Sequence, residues 1–546
     1  MNAQVPFDIH VAQRAFDTAP SALDLYRQLG AAGRRMHSAL LESAEPGSRH
    51  TQRSLLVASA AVSIVCRGSD VTIDALNDNG RALLPVLRER LAPFAPHTTA
   101  QGLRLRVVHQ AHGGSDRERL LRPSVLSVLR SVAQDLSAPP DAPPEAVFLV
   151  GVFGYELAAQ FEDLPATATD AAFPDYVFLL ADELVVIDHI AHRTRALAMR
   201  FDRDAGAADI ALDRLAIGVL AAPPAIDAAA TPHDAVPSPT IEASCDRDDA
   251  AFGADVAALQ RHVAAGDAFQ VVASRTFSLA CRDPFAAYAA LRSLNPSPYL
   301  FFLHADDGAG RDFVLFGASP ESSIKVDASA RRVEISPIAG TRPRGLRTDG
   351  SVDPDLDSRH EAELRLDAKE NAEHMMLVDL ARNDVARIAK PGTREVAQLL
   401  RVVRYSHVMH LASRVTGILD DGLDALHACQ ACLNMGTLTG APKIRAMQLL
   451  HEVERIPRGH YGGAIGYLDG AGNLDTAIVI RAALVRDGIA QVRAGAGVVH
   501  DSVPILEAHE TRRKAEAVLR AIAIANAEMP GTSVAIEQEP EAGHVA

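Results

Sequence analysis

Two stretches of the sequence place carboxylates at spacings that suit metal-ion binding. The first, residues 369–384, consists of good helix formers without Gly or Pro. Residues three and four apart share a helix face, so Glu373 would lie beside the apolar Met376 and Leu377. A carboxylate in that position normally finds a cation or takes up a proton. At this point a metal ion and an Arg or Lys from the core are equally good partners.

The second stretch, residues 502–519, opens with Ser and Pro, which predict a helix start. Glu507, Glu510 and Lys514 lie along one stripe of this helix. Two helices with paired carboxylates suit a hard cation such as Mg²⁺, which keeps several waters and completes its shell with oxygens of an anionic substrate. A solvated helix face would produce the same pattern.

The composition is that of an acidic globular protein. Its 546 residues are enough for a large core and for more than one domain. With 54 Lys+Arg against 69 Asp+Glu the formal net charge is -15, which disfavours nucleic acid as the main partner. Five cysteines without a framework spacing suit the reducing cytosol. The sequence contains no signal-peptide or membrane-spanning pattern, so we expect a cytoplasmic protein that binds no membrane.

The chain divides by pattern into four parts. Residues 1–220 alternate helix-like and strand-like segments, whereas residues 221–245, rich in Ala, Pro and Asp, have the makeup of a linker or surface loop. Residues 246–525 interleave strand-like runs with long helices, and residues 526–546 lack periodicity and are expected to be disordered. These patterns predict an α+β fold with large, mostly antiparallel sheets, helices outside and a polar cleft within.

Several runs in the second half resemble the motifs of the chorismate-utilising enzymes. They occur in the family's order and cover most of residues 250–522: 317–322, 337–345, 377–384, 408–410, 436–443, 461–463 and 493–497. The first half, through residues 41–44 and 154–156, resembles the large subunits of anthranilate synthases within that family. The resemblance implies the family's fold, in which the sheets pack as a sandwich. It also makes residues 1–220 a regulatory region and residues 246–525 the catalytic region.

The resemblance implies that the protein acts on chorismate, a dicarboxylate with a hydroxyl at C4 and an enolpyruvyl ether at C3. Ammonia adds at C2 as the C4 hydroxyl leaves, and pyruvate is then eliminated to give anthranilate. By position in the family's motifs, Glu373 and Glu510 would bind the Mg²⁺ that holds the ring carboxylate. Seven residues would hold chorismate itself: Gly340, Thr341, Tyr461, Arg481, Gly495, Ala496 and Gly497.

The same resemblance assigns the catalytic residues, which are Glu321, His410 and Thr341. Glu321 would be the general acid for the leaving hydroxyl, with a pKa raised by enclosure. His410 would handle the C2 proton during loss of pyruvate, and Thr341 also lines the substrate. Without the motifs, a hydrogen-bonded core histidine and a structural ion pair of the glutamate are the alternative interpretations.

Two positions bear on the nucleophile. Relatives that add water carry a Lys where this chain has Gln270, and aminodeoxychorismate synthases carry a Lys where it has Ala339. Neither lysine is present here, which favours direct addition of ammonia at C2. An aminodeoxychorismate synthase component I and a non-catalytic chorismate or tryptophan sensor are the alternative functions.

The ammonia must come from elsewhere, because no cysteine here has the Gly-x-Cys-x-Gly setting of a glutaminase nucleophile. The resemblance therefore implies a separate glutamine amidotransferase subunit, in a heterotetramer of two large and two small subunits. Free ammonium at high pH should also serve as the nitrogen source.

The resemblance also implies feedback inhibition by tryptophan. Six residues would form its pocket: Glu42, Ser43, Arg53, Pro298, Tyr299 and Leu300. A carboxylate would suit the amino group of tryptophan, and apolar and aromatic surface would suit the indole. Arg53 stands where a Lys is common in the family, and Leu300 where a Met is common. A hydrophobic domain junction without a ligand is the alternative.

Overall fold

The computed structural model describes residues 7–43, 53–108, 113–134, 136–165, 173–224, 241–347, 350–405 and 408–527. Residues 225–240 of the predicted linker and residues 528–546 of the predicted tail lie outside the described residues.

Helices occur along the whole described chain and are longest in its second half. Their bounds are α1 Ala22–Leu29, α2 Asp78–Arg90, α3 Asp116–Leu121, α4 Leu126–Gln134, α5 Ala205–Ala221, α6 Asp249–Ala265, α7 Pro284–Leu294, α8 Pro354–Leu366, α9 Ala368–Ala386, α10 Ala425–Cys432, α11 Gly436–Thr439, α12 Lys443–Glu454 and α13 Pro504–Ala527. Short 3-10 turns lie at Ala92–Phe94, Pro144–Ala146 and Tyr155–Gln160.

The strands fall between these helices. Their bounds are β1 Phe7–Asp8, β2 His10–Phe16, β3 Ser38–Glu42, β4 Arg53–Arg67, β5 Asp70–Ala75, β6 His97–Thr98, β7 Gly102–Arg106, β8 Leu136–Ser137, β9 Phe148–Phe153, β10 Tyr176–Asp188, β11 Arg193–Arg200, β12 Ser244–Cys245, β13 Gln270–Ala280, β14 Tyr299–Asp306, β15 Asp312–Ser319, β16 Ser322–Asp327, β17 Arg332–Ile335, β18 Ile338–Pro343, β19 Glu395–Arg404, β20 Val408–Ile418, β21 Gly440–Ala441, β22 Ala464–Asp469, β23 Leu474–Ile478, β24 Ala482–Arg486 and β25 Ile489–Val498.

Strands from both halves of the chain join one antiparallel sheet system. Strand β3 of the first half pairs with β14 of the second half, and β9 of the first half pairs with β22 of the second half. The pair β1 and β8 runs parallel, and the other pairings between the described strands are antiparallel. The predicted α+β fold of mostly antiparallel sheet with outer helices is confirmed.

The two helices predicted to carry the metal-binding carboxylates are present. The side chain of Asp367 caps α9 by accepting hydrogen bonds from the backbone N–H groups of Lys369 and Glu370. α13 begins at Pro504, whose missing N–H costs nothing in a first helical turn. The two helices pack against different apolar clusters, α9 through Val378 and its neighbours and α13 through Val518 and its neighbours.

No helix in the described ranges combines the length and the apolar character needed to cross a bilayer.

Candidate active site

Carboxylates from α9 and α13 lie close enough to interact. Burial raises the pKa of Glu373, and the charges of Glu370, Glu510 and Glu507 raise it further against the opposing Lys369. Lys369 Nζ stands 3.8 Å from Glu373 Oε1. Like charges gathered in a partly buried site favour a bound cation. The helices thus bring together Glu373 and Glu510, as the sequence analysis requires.

The described residues contain no cluster of three or more His, Cys, Asp or Glu side chains arranged to hold a metal ion. A pair of carboxylates fits Mg²⁺ better than Zn²⁺, because Mg²⁺ keeps waters and accepts substrate oxygens as further ligands. Lys514 Nζ lies 2.5 Å from Glu510 Oε1 and donates a 3.0 Å hydrogen bond to the Gly495 carbonyl. Lys514 therefore joins the carboxylate helix to the strand that carries the predicted substrate amides.

Arg481 lies near residues of three predicted roles, the substrate residue Tyr461, the metal ligand Glu510 and the general acid Glu321. Burial lowers its pKa, and the nearby Tyr461, Glu510 and Glu321 oppose that effect. It follows β23 in the left-handed backbone region, with φ 49°. None of the ion pairs among the described residues involves its guanidinium group, although burying such a cation without a partner is costly. An anionic ligand would supply the missing partner.

The glycines of β25 allow neighbouring side chains to approach its backbone closely. A Cβ atom at Gly495 would lie 2.7 Å from the Tyr461 hydroxyl, and one at Gly497 would lie 2.3 Å from Gln270 Nε2. Only glycine fits at either position without a shift of its neighbours. Ala496 lies between them on the same strand, which pairs with β13. Tyr461 therefore approaches the predicted substrate amides directly.

Glu321 is an enclosed acid. It is 7 % exposed and lies between β15 and β16. Burial raises its pKa to about 8, even though Thr437, Arg481 and Lys514 act in the opposite direction. The carboxyl group is therefore largely protonated at neutral pH, as the assignment of a general acid requires.

His410 on β20 faces Gly340 and Thr341 on β18. Its Nδ1 lies 2.9 Å from the Thr341 hydroxyl and 3.2 Å from the Gly340 carbonyl. A carbonyl can only accept, so Nδ1 carries the hydrogen and Nε2 is left as a proton acceptor. Burial lowers the pKa of His410 to about 4, so the ring is neutral at pH 7. The positive charge of Arg481 contributes to that lowering.

Thr437 and Lys514 also lower the pKa of Glu321, and neither residue has a role predicted from the sequence. Thr437 was within a recognised motif, and Lys514 stood four residues after Glu510. These two features of the sequence were the available signals of a role, but neither indicates an interaction with Glu321, which is distant in the chain.

The six residues predicted to bind tryptophan line one cavity of about 300 Å³. Its other walls include Ile465, Gly466 and Tyr467 of β22 and Asp475 and Ala477 of β23. The Ser43 hydroxyl is buried there and has no hydrogen-bond partner among the described residues.

The charged groups of this cavity are already paired. The Glu42 carboxylate accepts hydrogen bonds from the Tyr288 hydroxyl (2.6 Å) and from Arg292 Nε (2.8 Å). Arg53 Nη1 lies 2.9 Å from Glu145 Oε1. Glu42 thus carries a compensated charge, which makes it a weaker partner for an ammonium group than the sequence analysis assumed.

Comparison with known proteins places this arrangement in a family. Residues 97–520 match the chorismate binding enzyme family. The chain therefore belongs to the chorismate-binding enzymes.

Within that family, the chain is similar to proteins named anthranilate synthase component 1. The anthranilate synthase component 1 of Escherichia coli is 48% identical over 96% of this chain and 99% of its own. The pyocyanine-specific anthranilate synthase component 1 of Pseudomonas aeruginosa is 52% identical over 93% of each. The crystal structure of anthranilate synthase component I from Streptococcus pneumoniae matches with a TM-score of 0.64 and 28% identity, over 86% of this chain and 93% of that one. The relatives' names indicate that each acts with at least one further component.

Proposed function

We propose that the chain is the chorismate-converting subunit of an anthranilate synthase, which forms anthranilate and pyruvate from chorismate and ammonia. The observation that carries this proposal is the half-buried Arg481 without an ion-pair partner in the described chain, near Glu321, whose pKa burial raises to about 8. A substrate with carboxylates and a leaving hydroxyl needs a cation and a proton in that arrangement. The names of the relatives support this particular reaction.

The side chains divide the chemistry between them. Arg481 and Tyr461 hold the enolpyruvyl carboxylate, and the backbone of Gly495, Ala496 and Gly497 holds the ring. As ammonia bonds to C2 and the C4–O bond breaks, Glu321 gives its proton to the departing hydroxide, which leaves as water. The added nitrogen then loses one of its three protons, which restores the carboxyl group of Glu321. His410 Nε2 accepts the C2 proton as the C3–O bond breaks and the ring becomes aromatic, and the enolpyruvate that leaves takes up a proton to become pyruvate.

Glu373 and Glu510 would hold Mg²⁺ against the ring carboxylate of chorismate. Burial and the charge of Glu510 raise the pKa of Glu373, which supports the assignment because a divalent cation favours the ionised carboxylate; Lys514 pairs with Glu510 and lowers its pKa. When bound, Mg²⁺ would supply Lewis-acid withdrawal of electron density from the ring.

The nitrogen source would be a glutamine amidotransferase subunit, in a cytoplasmic heterotetramer of two large and two small subunits. Gln270, 8 % exposed, lies against Gly497 where relatives that add water have a basic Lys. An amide side chain cannot deprotonate water, so ammonia remains the nucleophile. Ala339 likewise offers no amine to attack the ring.

Incubation of the chain with chorismate, Mg²⁺ and ammonium at about pH 8, where Glu321 still keeps part of its proton, tests the proposal. We expect a fluorescent product with the mass of anthranilate, together with one equivalent of pyruvate. An amino-bearing product that keeps the enolpyruvyl group would instead identify an aminodeoxychorismate synthase. Binding of chorismate without turnover would indicate a sensor.

We further propose that the cavity of about 300 Å³ binds tryptophan as a feedback inhibitor. Two strands support a link to the active site, because β22 and β23 line the cavity and lead to substrate residues at their other ends. Tyr461 precedes β22, and Arg481 follows β23. Hydrogen bonds between Gly462 N–H and the Val479 carbonyl (3.0 Å), and between Val479 N–H and the Gly463 carbonyl (2.9 Å), tie the two ends together. A ligand that displaces this hairpin would shift both residues.

Replacing Ser43 with Phe should weaken inhibition by tryptophan by about tenfold or more, because the ring occupies the cavity. Turnover without tryptophan should stay within about twofold, since Ser43 is not one of the residues predicted to bind chorismate or to act in catalysis. The concentration of tryptophan for half inhibition is the measurement. The chain has no Trp of its own, so the fluorescence of bound tryptophan reports binding directly.

Ser329→Phe, at an exposed turn, is the matched control and should leave inhibition unchanged. Unaltered inhibition in Ser43→Phe would place the regulatory site elsewhere.

A further inference from the structure

Glu454 is a buried carboxylate to which the proposed chemistry gives no role. It ends α12 and is 5 % exposed. Its Oε1 accepts hydrogen bonds from the Ser274 hydroxyl (2.7 Å) and Arg458 Nη2 (2.6 Å), and its Oε2 accepts from Arg458 Nε (2.9 Å) and Arg493 Nη2 (2.7 Å). Although burial opposes ionisation, the two guanidinium groups lower the pKa of Glu454. One charged group thus joins α12, the loop after it, β13 and β25.

The two arginines held by Glu454 contact the predicted substrate residue Tyr461. Arg458 Cζ lies 5.6 Å from the centroid of the Tyr461 ring, and Arg493 Cζ lies 6.0 Å from it. Cations at these distances attract the ring and fix its orientation. The hydroxyl of that ring is the atom that a Cβ at Gly495 would meet at 2.7 Å.

The same arginines fix the strand that carries the substrate amides. Arg493 lies two residues before Gly495 on β25, and Arg493 Nε donates a 2.9 Å hydrogen bond to Ser274 Oγ. Ser274 is the partner of Gly495 in the β13–β25 pairing. The position of Tyr461 relative to Gly495 therefore depends on one set of contacts centred on Glu454.

The first half of the chain supports the same loop. The Glu156 carboxylate accepts hydrogen bonds from the backbone N–H groups of Arg458 (2.7 Å) and Gly459 (2.9 Å), and Tyr155 N–H donates to the Gly459 carbonyl (2.8 Å). This explains in physical terms the motif at residues 154–156, which the proposed reaction leaves unused.

We propose that Glu454 is a positioning residue for chorismate, because it clamps Arg458 and Arg493 and so holds the Tyr461 hydroxyl and the Gly495 backbone in substrate-binding geometry. This inference rests on the proposed function, since Tyr461 must contact chorismate.

Glu454→Gln should raise the KM for chorismate by about tenfold or more, while kcat at saturating chorismate falls by less than about threefold. A carboxamide offers one acceptor oxygen, and its amino group meets a guanidinium group that also donates. Ammonium is the nitrogen source, so a partner subunit does not affect the result. Asp307→Asn is the matched control. Asp307 is a fully buried carboxylate that also pairs with two arginines, Arg67 and Arg311, but it belongs to a different cluster from Tyr461. Its KM should stay within about twofold of the unmodified chain.

A double-mutant cycle separates positioning from general support of the fold. In a Tyr461→Phe background, Glu454→Gln should raise KM by less than about threefold, because both changes disturb the same contact. Equal effects in both backgrounds would overturn the proposal and assign Glu454 a structural role. If Glu454→Gln does not fold, Arg493→Lys tests the same set of contacts. Lysine keeps the positive charge but loses the planar guanidinium group that donates several hydrogen bonds, and the same coupling to Tyr461 is expected.

The possible failures are distinguishable. A normal KM in Glu454→Gln together with a raised KM in Tyr461→Phe overturns the positioning role alone. A normal KM in Tyr461→Phe removes the Tyr461 hydroxyl from the substrate site. It overturns both the substrate-binding role of Tyr461 and the inference built on that role.

Discussion

Glu321→Gln should lower kcat for chorismate by about 10²–10⁴-fold, the usual contribution of a positioned general acid. Glutamine keeps the size and the hydrogen-bonding capacity of a neutral carboxyl group, but it has no proton to give to the departing hydroxide. Its KM should change little, because the substrate carboxylates are held by other residues. Steady-state kinetics with ammonium and a fixed Mg²⁺ concentration provide the measurement.

The pH dependence of activity tests the role of Glu321 independently. Burial raises the pKa of Glu321 to about 8, so the carboxyl group loses its proton as the pH rises through that value. Activity of the unmodified chain should therefore fall above about pH 8, and the residual activity of Glu321→Gln should lack that decline. The comparison needs ammonia corrected to its free-base concentration at each pH. A decline that persists unchanged in the variant would assign it to another group.

Glu373→Gln should abolish Mg²⁺-dependent turnover and leave the fold intact. The change removes one of two predicted metal-binding carboxylates and keeps the size of the side chain. Loss of a charged ligand from a site with so few protein ligands should weaken Mg²⁺ binding by about 100-fold or more. Titration calorimetry with Mg²⁺ in the presence of a chorismate analogue measures that loss without turnover.

Asp379→Asn is the matched control for this prediction. Asp379 lies on the same helix, and its side chain is 74% exposed and paired with Arg382. Mg²⁺ binding and turnover should be unchanged. Normal Mg²⁺ affinity in Glu373→Gln would remove Glu373 from the metal site.

Local sequence patterns predict the elements of this fold better than their meeting points. The helix at residues 369–384 follows from propensity alone, and it is present as α9. That Glu373 would meet Glu510 does not follow from either helix pattern, because each helix packs on a different apolar cluster and the strands between them determine the approach. The resemblance to a family supplied that pairing.

Glu454 illustrates what local pattern cannot reveal. Glu452 and Arg455 beside it are charged, so residues 451–455 have the appearance of a solvated helix end despite Val453. The Arg458 four residues later was a weak signal of an ion pair. Burial arises because Arg493 and Ser274 come from strands distant in sequence, and that convergence is a property of the sheet.

For the proposed tryptophan pocket, the family resemblance predicts the residues but not how their charges are paired. All six residues line one cavity, yet the Glu42 carboxylate already accepts a hydrogen bond from Arg292 on α7. No pattern near residue 42 indicates this partner, because it is about 250 residues away in the chain.

A crystal structure with Mg²⁺ and a chorismate analogue tests the central claim most directly. We expect one metal ion between Glu373 and Glu510 on the analogue's ring carboxylate. The second carboxylate should lie on Arg481 and Tyr461, and the C4 oxygen should lie within hydrogen-bonding distance of Glu321. An analogue bound with neither carboxylate near Arg481, or a metal ion bound away from both helices, would contradict the account.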